Sequence, residues 1–368
     1  MRTTLTALAL ASGAGIVSPH VSAADLGGGT NLIMYGIIDA GYVHESGGAR
    51  GSVNKITSGA NSMSRYGFRG SEDLGGGLSA IMGLESGIKI DTGEVDAAGT
   101  IFNRFAFVGL SSKDYGTLTF GRQYTPWYTT LFTMADPFGT SLEGNLKSLF
   151  PVGGAAARMS NSVLYVSPKT AGVSIELGYG MGEQPGSDSA GRQMGFAADY
   201  RSGPLHLRFA YANRNNDVAT GAAPIVRHGT ATNKVIAGNY DFGFLKAYLA
   251  YNMDRGEGSG TLPNANAYGS DPAPVPSTDA REAVIGFNAP LGPGKLIASY
   301  VWKDDRTRFN QDAAQWGIGY QYILSARTLL YTSYALMRNE NGAGYTIGNG
   351  GESGSGDRGF SLGLRHTF

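Results

Sequence analysis

Met194-Gly195-Phe196-Ala197-Ala198-Asp199-Tyr200-Arg201-Ser202-Gly203-Pro204-Leu205-His206-Leu207-Arg208-Phe209-Ala210-Tyr211 is two runs of alternation broken once by a turn. Met194, Phe196, Ala198 and Tyr200 are interleaved with Gly195, Ala197 and Asp199. Past Ser202-Gly203-Pro204, residues Leu205, Leu207, Phe209 and Tyr211 are interleaved with His206, Arg208 and Ala210. Successive side chains of a strand point to opposite faces, so each run is a strand with one apolar face and one polar or small face. The same period recurs downstream. Leu296, Ala298, Tyr300 and Trp302 share a face, and the chain ends with Phe360, Leu362, Leu364 and Phe368 set against Ser361, Gly363, Arg365 and Thr367.

Working outward from that hairpin, the connections fall into two length classes that alternate along the chain. Seven short turns are centred on Asp73-Leu74-Gly75-Gly76, Lys113-Asp114-Tyr115, Pro168-Lys169-Thr170, Ser202-Gly203-Pro204, Phe242-Gly243, Gly292-Pro293-Gly294 and Leu324-Ser325-Ala326. Eight longer polar, Gly-rich or Pro-rich stretches lie near residues 46–61, 91–99, 124–159, 183–190, 214–228, 254–279, 304–310 and 339–356. Fifteen connections imply sixteen strands, at roughly 22 residues for each strand with its connection, and short turns alternating with long loops are the pattern of an outer-membrane barrel. The expected fold is therefore all-β, a 16-stranded antiparallel transmembrane β-barrel.

Composition agrees with this reading and excludes others. Gly supplies 57 of 368 residues, about 15% against the usual ~7%, while charged residues make up only 16%. In a soluble sandwich the charges crowd the outer face and the inner face is rich in Leu, Ile and Val. Here the polar face is itself poor in charge and full of Gly, Ser, Thr, Asn and Gln, and the Tyr- and Phe-rich apolar face suits lipid. Twenty-nine basic residues balance twenty-nine acidic ones, which removes the footprint that a nucleic-acid partner requires. Without cysteine there is no disulfide, thiolate zinc site or iron–sulfur cluster.

The N-terminus reads as an export signal. Met1-Arg2 is a short basic start, residues 5–17 are uncharged and mostly apolar or small, and Val21-Ser22-Ala23 provides small residues at the cleavage spacing. Residues 1–23 are expected to be a signal peptide cleaved after Ala23, leaving residues 24–368 as the barrel domain. No other stretch approaches the 18 apolar residues of a spanning helix.

The segment from Ser64 to Leu78, Ser-Arg-Tyr-Gly-Phe-Arg-Gly-Ser-Glu-Asp-Leu-Gly-Gly-Gly-Leu, closely resembles the second strand and first turn of the trimeric general porins of Gram-negative bacteria, in particular those of beta-proteobacteria. Residues 32–41 resemble their first strand, residues 107–112 and 115–123 their fourth and fifth, and Leu362-Gly363-Leu364-Arg365-His366-Thr367-Phe368 their last. The resemblance implies a homotrimer of barrels in the bacterial outer membrane, each with its own pore. Its partners would be outer-membrane lipids, lipopolysaccharide, small hydrophilic solutes and ions, and the assembly machinery that reads the terminal Phe368.

The resemblance also implies that the third long loop, residues 124–159, folds into the pore. Ala135-Asp136-Pro137-Phe138-Gly139 is similar to the acidic turn of such constriction loops, which makes Asp136, with Glu143, the expected source of negative charge at the eyelet. On the wall, Tyr66 and Phe68 take the lipid face, so Arg65 and Arg69 face the lumen. Arg104, alternating with Phe105 and Phe107, is expected to face inward too. Arg122 falls in phase with Leu118 and Phe120, a conflict that a bulge or strand end at Gly121 releases; the resemblance of its Phe-Gly-Arg-Gln-Tyr segment favours a pore position. A guanidinium keeps its charge at any relevant pH, so arginines facing carboxylates across water set up a standing transverse field.

Catalytic readings find little support. None of the five histidines sits in a zinc pair or beside a Gly-x-Ser-x-Gly elbow, and Gly292-Pro293-Gly294-Lys295 reads as a turn, since Ala289 stands where a phosphate loop has its first Gly. The expected function is a passive general-diffusion channel with no catalytic residue, cofactor or metal. The alternatives are a solute-specific channel and, behind it, a barrel enzyme or an adhesin.

Overall fold

The computed structural model describes residues 23–25, 30–219 and 225–368. Apart from Ala23, the expected signal peptide lies outside them. Sixteen strands form the wall: β1 (Thr30–Ser46), β2 (Arg65–Gly75), β3 (Leu78–Gly87), β4 (Phe105–Ser112), β5 (Gly116–Tyr124), β6 (Arg158–Val166), β7 (Val173–Gly180) and β8 (Gln193–Ser202), then β9 (Leu205–Asn215), β10 (Thr230–Asp241), β11 (Lys246–Arg255), β12 (Asp279–Leu291), β13 (Gly294–Asp305), β14 (Ala313–Ile323), β15 (Thr328–Asn339) and β16 (Arg358–Thr367). Each pairs antiparallel with the next, and β16 returns to β1 with Arg365 opposite Asp39 and Leu362 opposite Tyr42. Gly36 and Phe368 exchange both backbone hydrogen bonds, at 3.1 Å each, where the two ends of the chain meet. The sheet therefore closes on itself, which satisfies the wall's backbone groups without leaving an edge.

The seven short connections join strands at one end and the eight long ones at the other, as the sequence pattern requires. Two short strands were not foreseen. Val53–Ser58, inside the first long loop, pairs with the far half of β1, and Ala23–Asp25 pairs with its start.

Alternation assigns the faces. Ile236, Leu249, Ile285 and Trp316 are each about three-fifths exposed and point outward, at 58%, 62%, 58% and 61%. Their neighbours Val235, Ala250, Val284 and Gln315 are buried on the inside. The outward aromatic side chains include Tyr300 and Trp316, with ring centroids 4.2 Å apart on β13 and β14. A belt of outward apolar and aromatic side chains is what a hydrocarbon layer requires of the wall.

Inside, the barrel is part filled. Trp127, Leu131, Met134, Leu146, Leu149 and Phe150, all from the third long loop, are buried against Ala197, Ala210, Val235, Ala250, Val284 and Val301 on the inner wall. The loop has a hydrophobic core of its own, walled by small and branched residues of β8 to β13.

Candidate functional site

The loop begins with a short helix, α1 (Pro126–Thr130), followed by a π-type turn over Leu131–Ala135. Thr125 is its N-cap, with its hydroxyl accepting from the Tyr128 amide at 3.1 Å, and Pro126 fills the first helical position, where no amide donor is needed. Residues four apart share a helix face. Trp127 and Leu131 turn to the wall, where the Trp127 indole donates to Asn252 Oδ1 at 3.1 Å, while Tyr128 and Phe132 take another face and stay partly exposed.

Polar contacts fasten the rest of the loop across the bore. Arg208 donates to Thr130 Oγ1 at 2.8 Å, Ser299 Oγ to the Gly144 carbonyl at 2.6 Å and Gln315 Nε2 to the Asn145 carbonyl at 2.7 Å. Gly144 lies backbone to backbone on Gly317 of β14. A Cβ on Gly317 would stand 2.2 Å from the Gly144 Cα, so both positions need glycine.

The two carboxylates expected at the eyelet, Asp136 and Glu143, take part in this docking. Asp136 is 3% exposed, and its oxygens accept backbone amides of Phe138 (3.0 Å), Thr140 (2.7 Å) and Leu146 (3.3 Å). It closes the turn at Asp136–Gly139 and does not present a free charge to water. Burial pushes its carboxyl up to about 6 despite those three donors. Glu143 is 2% exposed and accepts from the hydroxyls of Ser333 and Ser361 on β15 and β16. Burial raises it to about 7. Lys147, half-buried on the same loop, is pushed down to about 8, first by burial and then by the guanidiniums of Arg104 and Arg158, while its Nζ donates to the Gly350 carbonyl at 2.7 Å.

Facing the loop is the basic wall. Arg65 and Arg69 share the inner face of β2 with Gly67, whose partner on β3 is Glu85. Glu85 is the hub: Arg104 Nε donates to it at 2.6 Å, the Tyr35 hydroxyl at 2.7 Å, and Arg65 Nε lies 3.7 Å away. The Arg69 guanidinium sits 4.9 Å over the Tyr35 ring and 6.0 Å from that of Phe105. Arg104 reaches this cluster, but not by the expected alternation. Phe105 and Phe107 are themselves on the inner face, opposite Glu85 and Gly83, and Arg104 stands just before β4, where the chain is free to bend back.

Arg122 meets the anticipated break. Gly121 has φ 132, a region that favours glycine, and the β5–β6 register shifts between Gly121 and Gln123. Arg122 Nε then donates to the Asn103 carbonyl at 2.8 Å and Nη1 to Ser160 Oγ at 2.7 Å.

Sequence reading missed Arg158. It starts β6 directly after the loop, donates to the Arg104 carbonyl at 3.0 Å and lies 4.9 Å over the Tyr124 ring. Its signal was available in the hairpin register, which sets it opposite Tyr124, the residue that leads into the loop. Among the described residues, Arg122, Arg158 and Lys147 have no carboxylate oxygen within ion-pair distance, whereas Glu85 is shared by two arginines.

The remaining inward charges sort the same way. Glu176 pairs with Arg208, and Asp199 with His206 at 2.7 Å and Lys169 at 3.7 Å. Glu282 and Lys303 form a fully buried pair, and Asp39 accepts from the Tyr331 hydroxyl at 2.8 Å and the Ser62 amide at 3.0 Å. The inward carboxylates are thus bonded in place, and the cations include several without an acidic partner. Among the described residues, His206 is the inner-wall histidine in such a contact, in an ion-pair group near the short-turn end.

Comparison with known proteins places this geometry. A family model described as Gram-negative porin matches residues 4–342. An outer membrane porin protein of Bordetella pertussis is 30% identical, the match covering 84% of this chain and 89% of that protein. Outer membrane porin protein 32 of Delftia acidovorans is 29% identical over 92% of this chain and 94% of its own. Among solved structures, an anion-selective porin from Comamonas acidovorans superposes with a TM-score of 0.73 at 26% identity, over 92% of this chain and all of the other.

Proposed function

The chain belongs to the Gram-negative porin family and is an outer-membrane porin, and from that premise we propose that it is a passive, anion-preferring diffusion channel gated by no energy source and performing no catalysis. The observation that carries the reading is the charge at the narrowing. Arg65, Arg69, Arg104, Arg122, Arg158 and Lys147 gather there, and the loop carboxylates Asp136 and Glu143 are buried in the loop's own docking. A ring of cationic groups beside low-dielectric protein raises the local concentration of anions and repels cations. The name of the Comamonas neighbour, an anion-selective porin, points the same way. We further propose a homotrimer set in lipid and lipopolysaccharide, made from a precursor that loses residues 1–23, with Phe368 read during assembly.

The test is the reversal potential of the purified protein in a planar bilayer under a salt gradient. Chloride should be favoured over potassium, and Arg65→Gln, Arg104→Gln and Arg158→Gln together should move the potential several-fold in permeability ratio toward cations. A cation-selective wild type, or a triple variant with unchanged potential, overturns the reading.

A further inference from the structure

The arginine wall runs directly into a group of aromatic rings at the start of the loop. Tyr124 stacks on Tyr128 with ring centroids 5.3 Å apart and planes 25° from parallel, and Phe132 joins them at 5.3 Å from Tyr128 and 5.9 Å from Tyr124. The Arg158 guanidinium lies over Tyr124, and Arg104, whose carbonyl accepts from Arg158, stands beside it. Of these rings Tyr128 also packs against the edge of the loop's core, but the fully buried anchors are others. Those are Trp127, Leu131, Met134 and Phe150 on the wall side, all essentially without exposure, while Tyr124, Tyr128 and Phe132 keep part of their surface in the bore.

We propose that the constriction is a recognition site for planar aromatic monoanions, a carboxylate engaging Arg158, which among the described residues has no carboxylate oxygen within ion-pair distance, while the attached ring slides along Tyr124, Tyr128 and Phe132. The proposal rests on the anion-preferring reading above and deepens it. A guanidinium matches a carboxylate with two parallel donors and sheds water more easily than an ammonium group. An aromatic ring entering beside other rings gains an offset-stacking contact that a saturated ring of the same size does not. Together these favour solutes that carry both features over those carrying one. The ordering Phe132, Tyr128, Tyr124, Arg158 also forms a continuous strip, so a ring can pass along three aromatic side chains to the guanidinium.

The experiment uses full-length protein in a planar bilayer carrying chloride current, with benzoate, cyclohexanecarboxylate or benzyl alcohol added to one side. Benzoate should half-block the current at a concentration roughly three- to tenfold below that of cyclohexanecarboxylate, and benzyl alcohol should block least. In Tyr128→Leu/Phe132→Leu the ratio between the two acids should fall to about one; it is read within one channel, so any change in its conductance cancels. Arg158→Gln, a milder change, should raise the half-blocking concentration of both acids. Equal potency of the two acids in the wild type overturns the proposal, as does a benzoate preference that survives the double variant. Benzyl alcohol blocking as well as benzoate removes the guanidinium half of it. Failure of the underlying anion preference is separately visible as a cation-selective reversal potential before any solute is added.

Discussion

Lys147 shows how one side chain can make the field at the narrowing depend on pH. Burial and two guanidiniums push it down to about 8, so it sheds its proton a little above neutrality while the arginines stay charged. Between about pH 7 and 9 the anion preference should decline by a modest step, measured as a shift in reversal potential, and Lys147→Met should abolish that step. For stability, the lowered value means that the neutral form fits better, so the contribution is present above 10.5 and lost as pH falls through about 8. Glu143 runs the other way. Its raised value makes docking strongest below 4.5, and that strength is lost as pH climbs through about 7. Open-channel noise should grow over that window in the wild type and be flat with pH in Glu143→Gln.

Residues also show where sequence reading reaches its limit. Arg65 and Arg69 were legible because each belongs to a strand whose period assigns its face. Arg104 reached the right place for a different reason, since it lies outside the strand and Phe105 takes the inward position. Asp136 was legible as a turn residue, yet which way its carboxylate points depends on three amides that come together only when the loop folds. Lys147 gave no periodic signal, because it lies in a loop whose direction is set by a wall distant in sequence.

At the scale of an element, the third long loop behaves as a small folded unit held inside a tube. Its helix start is encoded locally by Thr125-Pro126, and its apolar residues by the need to meet Ala, Val and Gly on the wall. Asp136→Ala leaves three backbone donors without their acceptor, at a cost of about 1–3 kcal/mol for each one that finds no water. The expected result is a loosened loop in an intact barrel: higher and noisier conductance, and protease cleavage near residues 136–146 with no loss of the strands' thermal transition. Trp127→Ala, which opens a cavity under α1, should act in the same direction by about 3–5 kcal/mol. The strands themselves were readable to within a few residues because lipid on one side and water on the other impose a strict period of two. The Val53–Ser58 strand was not, since it pairs beyond the bilayer-spanning part of β1, where that period no longer applies.

For the whole molecule, the decisive event is the meeting of β1 with β16. Phe368 pairs with Gly36 through both backbone bonds, and its ring occupies the space a side chain at Gly36 would need, with a Cβ there only 2.2 Å from the ring. Gly36→Val should therefore displace the terminal residue and slow barrel formation, seen as delayed appearance of the heat-stable folded band on refolding into detergent or lipid. A closed count of sixteen followed from turn spacing, but the register at the seam did not, because it joins residues more than 300 positions apart.

The loop's anchors have a consequence in time. Asn252, Ser299, Gln315, Ser333 and Ser361 lie on β11 and β13 to β16, so, Arg208 on β9 apart, these polar moorings come from the later strands to be made. A chain halted partway lacks most of the polar surface on which the loop is moored. Discrimination between solutes is accordingly the last property the molecule acquires, and a stalled barrel should leak without sorting what it leaks.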